Sequence, residues 1–161
     1  MSNLKFFKSV ILSLGMFAGA SHGAMALDGD AAAGEKVFKK CSACHQVGPD
    51  AKNAVGPVLN GVFGRTAGTF ADYKYGKSIV AAGKAGLEWT EDEIFEYLAN
   101  PKKYLRAKLD DKKAKSKMSF KLKKDEERAN VIAYLKTFSP EAESESEGEG
   151  EGSSEETTSS D

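Results

Sequence analysis

Cys41-Ser42-Ala43-Cys44-His45 is the stretch that predicts the fold of this 161-residue chain. The spacing C-x-x-C-H is typical of covalent haem attachment. Two thiols that lie one helical turn apart can each add to one vinyl group of a haem, and the adjacent histidine then reaches the iron from the same turn. The stretch therefore predicts one haem c attached through Cys41 and Cys44, with His45 as an iron ligand.

Residues 1–26 have the composition of a secretory signal peptide. Two lysines precede an apolar run over residues 10–20, and Ala24-Met25-Ala26 supplies a small-x-small cleavage site. The apolar run is shorter than the roughly 20 residues that span a bilayer, so we favour cleavage over an uncleaved membrane anchor. No other segment could span a bilayer. We therefore expect a mature protein that begins at residue 27 and is soluble in the periplasm.

Cleavage limits the side chains that remain for the second face of the iron. Three methionines and His22 leave with the signal peptide, so the mature chain keeps one histidine, His45, and one methionine, Met118. Met118 is then the only thioether available opposite His45. Ligation by histidine and methionine raises the reduction potential of a haem and suits electron transfer.

Three other interpretations of the cysteine pair fit the sequence less well. A thioredoxin-like pair requires a preceding strand in a βαβ unit, whereas here the pair follows a helical stretch. A structural zinc ion requires four ligands, and the mature chain offers two cysteines and one histidine. A disulfide across so short a loop would stabilise the chain little. Haem attachment is the preferred interpretation.

The remaining sequence predicts helices separated by glycine-rich loops, with no alternating strand pattern, so the fold class is all-α. Gly34 lies inside the first helix, where it predicts a close helix crossing. The lysine-rich stretch 105–117 is interpreted as a long mobile loop. The predicted helices are one capped by Asp30 that runs through Phe38, one at 77–82, one that begins at the capping box Thr90–Glu93 and ends at Pro101, and one at 125–138.

Eight stretches form an ordered set of motifs: Gly34-x-x-x-Phe38, Cys41-Ser42-Ala43-Cys44-His45, Gly56-Pro57-x-Leu59-x-Gly61, Gly64-Arg65, Trp89, Tyr97-Leu98-x-Asn100-Pro101-x-x-Tyr104, Lys117-Met118-x-Phe120 and Val131-Ile132-Ala133-Tyr134-Leu135. This set resembles the class I c-type cytochromes, most closely the bacterial periplasmic cytochromes c2 and their respiratory relatives. The resemblance covers nearly all of residues 28–138. It implies a small class I cytochrome c fold, formed by residues 27–139, whose helices and loops wrap around a covalently bound haem.

The resemblance also implies roles for side chains around the haem. The carbonyl of Pro57 would accept the ring N–H of His45 and so orient the imidazole. Several of the aromatic and apolar residues concerned would, taken singly, equally suit an ordinary core. The implied roles are donors to the haem propionates for Arg65, Tyr75 and Trp89, a donor to the methionine sulfur for Tyr97, and an apolar lining for Leu59, Leu98 and Phe120.

Charge is unevenly distributed along the chain. The whole sequence carries a net charge of −1, but the signal peptide contributes +2 and residues 141–161 contribute −9, which leaves +6 on residues 27–140. Because ten lysines between residues 102 and 124 bracket Met118, we favour a docking face for acidic partner proteins over an ordinary solvated surface. Nucleic acid is not expected as a partner of an exported protein.

Residues 140–161 contain mostly glutamate, serine and glycine, a composition that predicts a disordered acidic tail. Two roles remain open for this tail. It could serve solubility alone, or it could transiently cover the lysine face.

These observations predict an electron-transfer protein rather than an enzyme, working as a monomer without stable membrane insertion. The resemblance implies electron donation from a quinol-oxidising cytochrome bc complex and delivery to a terminal oxidase or a photosynthetic reaction centre. Respiration and photosynthesis are both compatible with the sequence. The alternatives are a haem enzyme, such as a peroxidase, in which Met118 is displaced from the iron, and a haem-bearing sensor.

Overall fold

The fold is known from a computed structural model that describes residues 28–139, so the predicted signal peptide and the whole predicted acidic tail, residues 140–161, lie outside the described residues. Within this range the only strand-like feature is an antiparallel bridge between Thr66 and Glu88. The all-α prediction is confirmed. The helices are α1 (Ala31–Phe38), α2 (Lys77–Lys84), α3 (Glu91–Ala99), α4 (Pro101–Lys108) and α5 (Asp125–Lys136).

The first and last helices cross at very short range. A Cβ atom built on Gly34 of α1 would lie 1.9 Å from the carbonyl oxygen of Asn130 on α5, so no side chain fits at this position. The amide of Asp30 donates to Asn130 Oδ1 at 2.8 Å, and the rings of Phe38 and Tyr134 lie 5.4 Å apart. The predicted close crossing at Gly34 is therefore present, and its partner is α5.

Two of the predicted helix caps can be examined in the structure. The Asp30 carboxylate accepts a hydrogen bond from the amide of Ala33 at 2.8 Å, which confirms the cap of α1. The Thr90 hydroxyl accepts from the amide of Glu93 at 3.2 Å, which is the first half of a capping box. The second half of the predicted capping box, a hydrogen bond from the Thr90 amide to the Glu93 side chain, is wrong. The Glu93 carboxylate bonds instead to Tyr104 and Lys108 of α4.

Helix α4 was not predicted, and it corrects the interpretation of residues 105–117 as one long loop. Pro101 follows the end of α3 as predicted, but it also occupies the first turn of α4, where its missing N–H costs nothing. Leu105 in this helix is fully buried. Farther along, Ala114 is buried and the amide of Lys115 donates to Ser78 Oγ at 2.9 Å, so the segment is anchored to α2.

Two other helix ends differ slightly from prediction. α2 extends to Lys84, two residues beyond its predicted end, and α5 ends at Lys136 instead of residue 138. The amides of Thr137 and Phe138 bond to carbonyls only three residues back, which is a tightened final turn. No helix within residues 28–139 is both long and apolar enough to cross a membrane.

The apolar core consists of two clusters that share Trp89. The larger cluster joins α1, α3 and α5, and the smaller one joins α2 and α4 to the loop around Ala67. Trp89 packs partly buried against both clusters. The cavity described below is lined by members of both clusters.

Candidate functional site

A single cavity of about 280 Å³ contains every site residue predicted from the sequence. Its walls come from the turn after α1, the loop around Pro57, the segment between α2 and α3, helix α3 and the connection between α4 and α5 that contains Met118. Residues separated by almost 80 positions therefore meet at one site. The predicted residues in its lining are Cys41, Cys44, His45, Pro57, Leu59, Arg65, Tyr75, Trp89, Tyr97, Leu98, Met118 and Phe120.

His45 is held in one tautomer by the main chain. Its Nδ1 lies 2.8 Å from the carbonyl oxygen of Pro57, and because a carbonyl only accepts, Nδ1 carries the proton and donates. Burial lowers the pKa of His45, while the bond to Pro57 works in the opposite direction. The imidazole is therefore neutral at pH 7, and its Nε2 lone pair is free to bind a metal.

Gly56 determines how closely the main chain approaches the His45 ring. A Cβ atom on Gly56 would lie 2.3 Å from His45 Cε1 and 2.7 Å from both ring nitrogens. The amide of Gly56 also donates to the carbonyl of Cys44 at 2.8 Å, which ties the loop to the cysteine turn. Gly56 belongs to the Gly-Pro motif in the sequence, but its contact with His45 was not predicted.

The two cysteines lie in one turn directly after α1 and are not joined by a disulfide. The amide of Cys44 donates to the carbonyl of Cys41 at 2.9 Å, so the thiols are one turn apart as predicted. Burial raises the pKa of the Cys41 thiol to about 11, against a smaller opposing effect of Lys40. Redox-active C-x-x-C pairs depend on a lowered thiol pKa, so this site does not suit dithiol chemistry.

The structure also gives no support to a zinc site. Among residues 28–139, no three side chains of His, Cys, Asp or Glu come close enough together to hold a metal ion. Apart from two thiols, one imidazole and two serine hydroxyls, the polar side chains of the cavity lining are phenol, indole, guanidinium and amine donors. Such a set suits an anionic cofactor edge better than a bare cation.

Arg65, Tyr75 and Trp89 lie together on the cavity wall. Two N–H groups of Arg65 donate to the carbonyls of Asn60 and Val58, at 3.3 and 3.2 Å, and its guanidinium lies 4.7 Å from the centre of the Phe70 ring. Arginine has five N–H donors, so donors remain for a carboxylate. Burial raises the pKa of the Tyr75 hydroxyl, which keeps it protonated as a donor.

On the Met118 side of the cavity, Tyr97 makes a hydrogen bond that the sequence did not predict. The Tyr97 hydroxyl pairs with Ser116 Oγ at 3.3 Å, two residues before the methionine. Its predicted hydrogen bond to the Met118 sulfur stays a prediction. Burial raises the pKa of Tyr97, so its phenol remains protonated beside this segment.

Two apolar residues of the lining are notably exposed. Phe120, which was predicted to line the pocket, does so with 39% of its surface exposed, and Val55 is 74% exposed. Both therefore lie at the cavity mouth, and a ligand in the cavity would cover apolar surface there.

Tyr73 and Lys117 also line the cavity and were not predicted as site residues. The Tyr73 hydroxyl donates to the carbonyl of Val55 at 2.6 Å, and its ring lies edge-on to Tyr75 at 4.7 Å. The Lys117 ammonium bonds to the carbonyl of Lys74 and lies 5.7 Å from the Tyr73 ring. The pair Tyr73-x-Tyr75 was the sequence feature that could have indicated two aromatic side chains in the cavity wall.

The residues of the cavity fit a covalently bound haem. Two thiols one turn apart match the two vinyl groups, a neutral imidazole stands beside them, and a thioether lies in the same cavity. Gly56 leaves no Cβ against the imidazole, and the remaining wall is largely apolar. Fold and site together define a small all-α c-type cytochrome.

The comparisons with known proteins identify the family. The family model described as cytochrome c matches residues 31–139, which is more than half of the chain. The chain therefore belongs to the cytochrome c family and carries covalently bound haem c, attached through Cys41 and Cys44.

Curated relatives narrow the resemblance to cytochromes c2. Cytochrome c2 iso-2 of Rhodospirillum centenum is 53% identical over 120 residues, covering 71% of this chain and 99% of that protein. Cytochrome c2 of Rhodospirillum rubrum is 50% identical over 132 residues, covering 81% of this chain and 98% of the relative. Cytochromes c2 are electron-transfer proteins and not enzymes, and this chain is an electron carrier of the same kind.

Solved structures agree with this assignment. The structure of cytochrome c2 from Rhodospirillum centenum matches with a TM-score of 0.67 and 52% identity, covering 70% of this chain and all of the other. Cytochrome c2 from Paracoccus denitrificans matches with a TM-score of 0.66 and 42% identity, over 71% and 99% of the two chains. The prediction of a class I cytochrome c fold is confirmed.

Proposed function

We propose that His45 and Met118 would both bind the haem iron, so that the protein carries one electron at a time and offers no open iron position. The observation that carries this proposal is the fixed His45 tautomer, whose Nδ1–H bond to Pro57 at 2.8 Å leaves Nε2 for the metal. Met118 lines the same cavity and is the only methionine outside residues 1–26. Bound haem supplies an iron that cycles between its ferrous and ferric states.

The surrounding side chains have separate tasks in this proposal. Pro57 and Gly56 orient the imidazole, while Arg65, Tyr75 and Trp89 provide N–H and O–H donors for the haem propionates. Burial of unpaired carboxylates would be costly, and these donors offset that cost. The apolar lining of Leu59, Leu98 and Phe120 excludes water, which limits solvent rearrangement as the iron changes charge.

The proposed setting is the periplasm, reached after cleavage of residues 1–26. The carrier there is a monomer that accepts electrons from a quinol-oxidising cytochrome bc complex and delivers them to a terminal oxidase or a photosynthetic reaction centre. Seven exposed lysines at residues 112–124 flank Met118 and support an electrostatic docking face for acidic partners. We call these seven residues the lysine surface: Lys112, Lys113, Lys115, Lys117, Lys121, Lys123 and Lys124.

Carbon monoxide binding separates a carrier from a haem enzyme. The reduced wild-type protein is expected to bind no carbon monoxide at neutral pH, because the sixth iron position is filled. The Met118→Ala variant should bind it readily and show the corresponding shift of the haem absorption bands. Rapid binding by the wild-type protein would contradict the carrier and favour an open iron.

Electron delivery is tested with membranes that contain a quinol-oxidising bc complex. The oxidised protein should be reduced by these membranes in the presence of quinol, and the rate should fall as salt rises, because screening weakens attraction between exposed charges. A rate that does not depend on ionic strength would contradict docking through the lysine surface.

A further inference from the structure

The lysine surface is a concentrated and largely uncompensated block of positive charge. The 13 residues 112–124 contain seven lysines and no acidic residue, and all seven lysines are exposed. Among the described residues, Lys124 alone in this set forms an ion pair, with Glu127 at 3.5 Å, and its side chain remains 78% exposed. Six of its seven lysines therefore form no ion pair with the described residues, although the Lys117 ammonium bonds to the carbonyl of Lys74.

The same chain carries a block of opposite charge outside the cytochrome domain. Residues 141–161 contain nine acidic side chains and no lysine or arginine. The match to the cytochrome c family ends at residue 139, so this acidic segment is an addition to the family domain. Its charge is opposite to that of the lysine surface and comparable in size.

The acidic segment is attached within reach of the lysine surface. Lys124 immediately precedes α5 and Ser139 follows its end, so the 12-residue helix, about 18 Å long, separates the two. A random coil of 21 residues, the length of segment 141–161, would have a root-mean-square span of about 25 Å. The fully extended length of about 70 Å also exceeds the diameter of about 35 Å expected for a compact domain of 112 residues, so the length of the segment allows it to reach any part of the domain surface.

We propose that the acidic segment 141–161 docks on the lysine surface of its own domain and competes there with acidic redox partners. Tethering gives the segment an effective concentration in the millimolar range, so many individually weak ion pairs suffice. Screening over about 8 Å at physiological salt keeps the contact reversible. The competition rests on the docking face described under the proposed function, whereas the contact itself does not.

Zero-length cross-linking of the full-length holoprotein tests the contact directly. A carbodiimide joins a carboxylate to an amine only where the two touch, and mass spectrometry then locates the amide bonds. At low ionic strength we expect intramolecular links from residues 141–161 to the lysine surface, with at least a fivefold loss in high salt. The proposal would be overturned if no such links form, or if the links are spread evenly over all exposed lysines.

A variant cycle tests the competition, with hexacyanoferrate(III) as an anionic oxidant of the reduced protein. Truncation after Pro140 should raise the oxidation rate at low salt by about two- to tenfold, a range typical of modest electrostatic steering. Replacing Lys112, Lys113 and Lys115 by Gln should largely abolish this gain. Replacing Lys36, Lys52 and Lys84 by Gln is the matched control, because these lysines are exposed, lie elsewhere in the chain and form no ion pair among the described residues.

The outcomes distinguish the two proposals. If truncation has the same effect in both triple variants, the segment acts only through net charge and specific docking is overturned. If the truncated protein loses no rate when Lys112, Lys113 and Lys115 are replaced, the docking face fails while the cross-links still decide the contact. The proposal stands when the links map to the lysine surface and only the first triple variant removes the gain.

Discussion

Arg128 is a buried charged residue that joins the Met118 segment to α5. Its Nη1 donates to the carbonyls of Leu122 and Lys123 at 3.0 and 2.9 Å, and its Nη2 bonds to Asp125 at 2.8 Å. The guanidinium also lies 4.2 Å from the centre of the Phe95 ring. These contacts offset part of the cost of burying the charge, since Arg128 Nε is buried without a hydrogen-bond partner among the described residues, and they fix the chain four to five residues beyond Met118.

The Arg128→Lys variant is expected to lower the free energy of unfolding by about 1.5–3 kcal/mol, the range for a lost hydrogen bond to a charged group. Lysine keeps the charge but lacks the planar fork that bonds the two carbonyls through Nη1 and Asp125 through Nη2. Urea unfolding of the holoprotein measures the change. Asp125→Asn is the control, since its carboxylate is 66% exposed and should contribute about 1 kcal/mol or less. Equal losses in the two variants would contradict the role given to the carbonyl bonds.

Residue-level prediction from sequence succeeded where chemistry left few candidates. His45 and Met118 are the only residues of their kind beyond residue 26, so their place in the cavity could be predicted. The buried position of Arg128 could not be predicted, because this residue follows three acidic residues and resembles part of a solvated run of charges. Its partners are main-chain carbonyls positioned by tertiary structure, for which the sequence has no local signature.

At the scale of elements, the α1–α5 crossing depends on the absence of a side chain at Gly34. The Gly34→Ala variant should lower the free energy of unfolding by about 1–3 kcal/mol or more, because its Cβ would meet the Asn130 carbonyl and overpack the crossing. Thermal unfolding followed by circular dichroism measures the loss. Glu35→Ala, at an exposed position of the same helix, is the control and should change stability by about 0.5 kcal/mol or less. A Gly34→Ala variant as stable as this control would contradict the close crossing.

Glu93 joins α3 to α4 through Lys108 and Tyr104, and this contact predicts a pH dependence. Burial tends to raise the pKa of Glu93, but the hydrogen bonds from Lys108 and Tyr104 outweigh it, so the pKa is lowered. A lowered folded-state pKa gives stability that is present above the unfolded value of about 4.3 and is lost as pH falls through the folded value. Glu93→Gln should therefore cost about 0.5–1 kcal/mol at pH 7, discounted for solvent screening, and less at pH 3. Urea titrations at both pH values test this, and a cost independent of pH would contradict the ionic contribution.

Element boundaries could be predicted where a cap stands in the sequence and not where packing decides. Asp30 and Thr90 mark the start of their helices, because each side chain accepts a hydrogen bond from an amide three residues later. Pro101 is ambiguous, because proline both ends a helix and suits the first turn of the next. Helix α4 has few apolar residues, and buried Leu105 packs against α2 and its loop, which no local pattern reveals.

At the scale of the whole molecule, the core is divided into two clusters around the cavity, so the cofactor is expected to form part of the core. The Cys41→Ala, Cys44→Ala double variant cannot attach haem covalently and should be poorly folded. Circular dichroism during heating should show a broad transition at lower temperature than in the wild-type holoprotein. Ser42→Ala is the control, since Ser42 is exposed between the cysteines and should melt like the wild type. A cooperative, native-like melt of the double variant would contradict coupled folding and haem binding.

The most direct test of the account is the absorption spectrum of the purified ferric protein, compared with that of Met118→Ala. If the Met118 sulfur binds the iron, the wild-type protein shows the weak long-wavelength band of methionine-ligated ferric haem, and the variant loses it. A wild-type spectrum without this band and with high-spin features would mean an open iron position. That result would contradict the proposed His45/Met118 carrier and favour a haem enzyme or sensor.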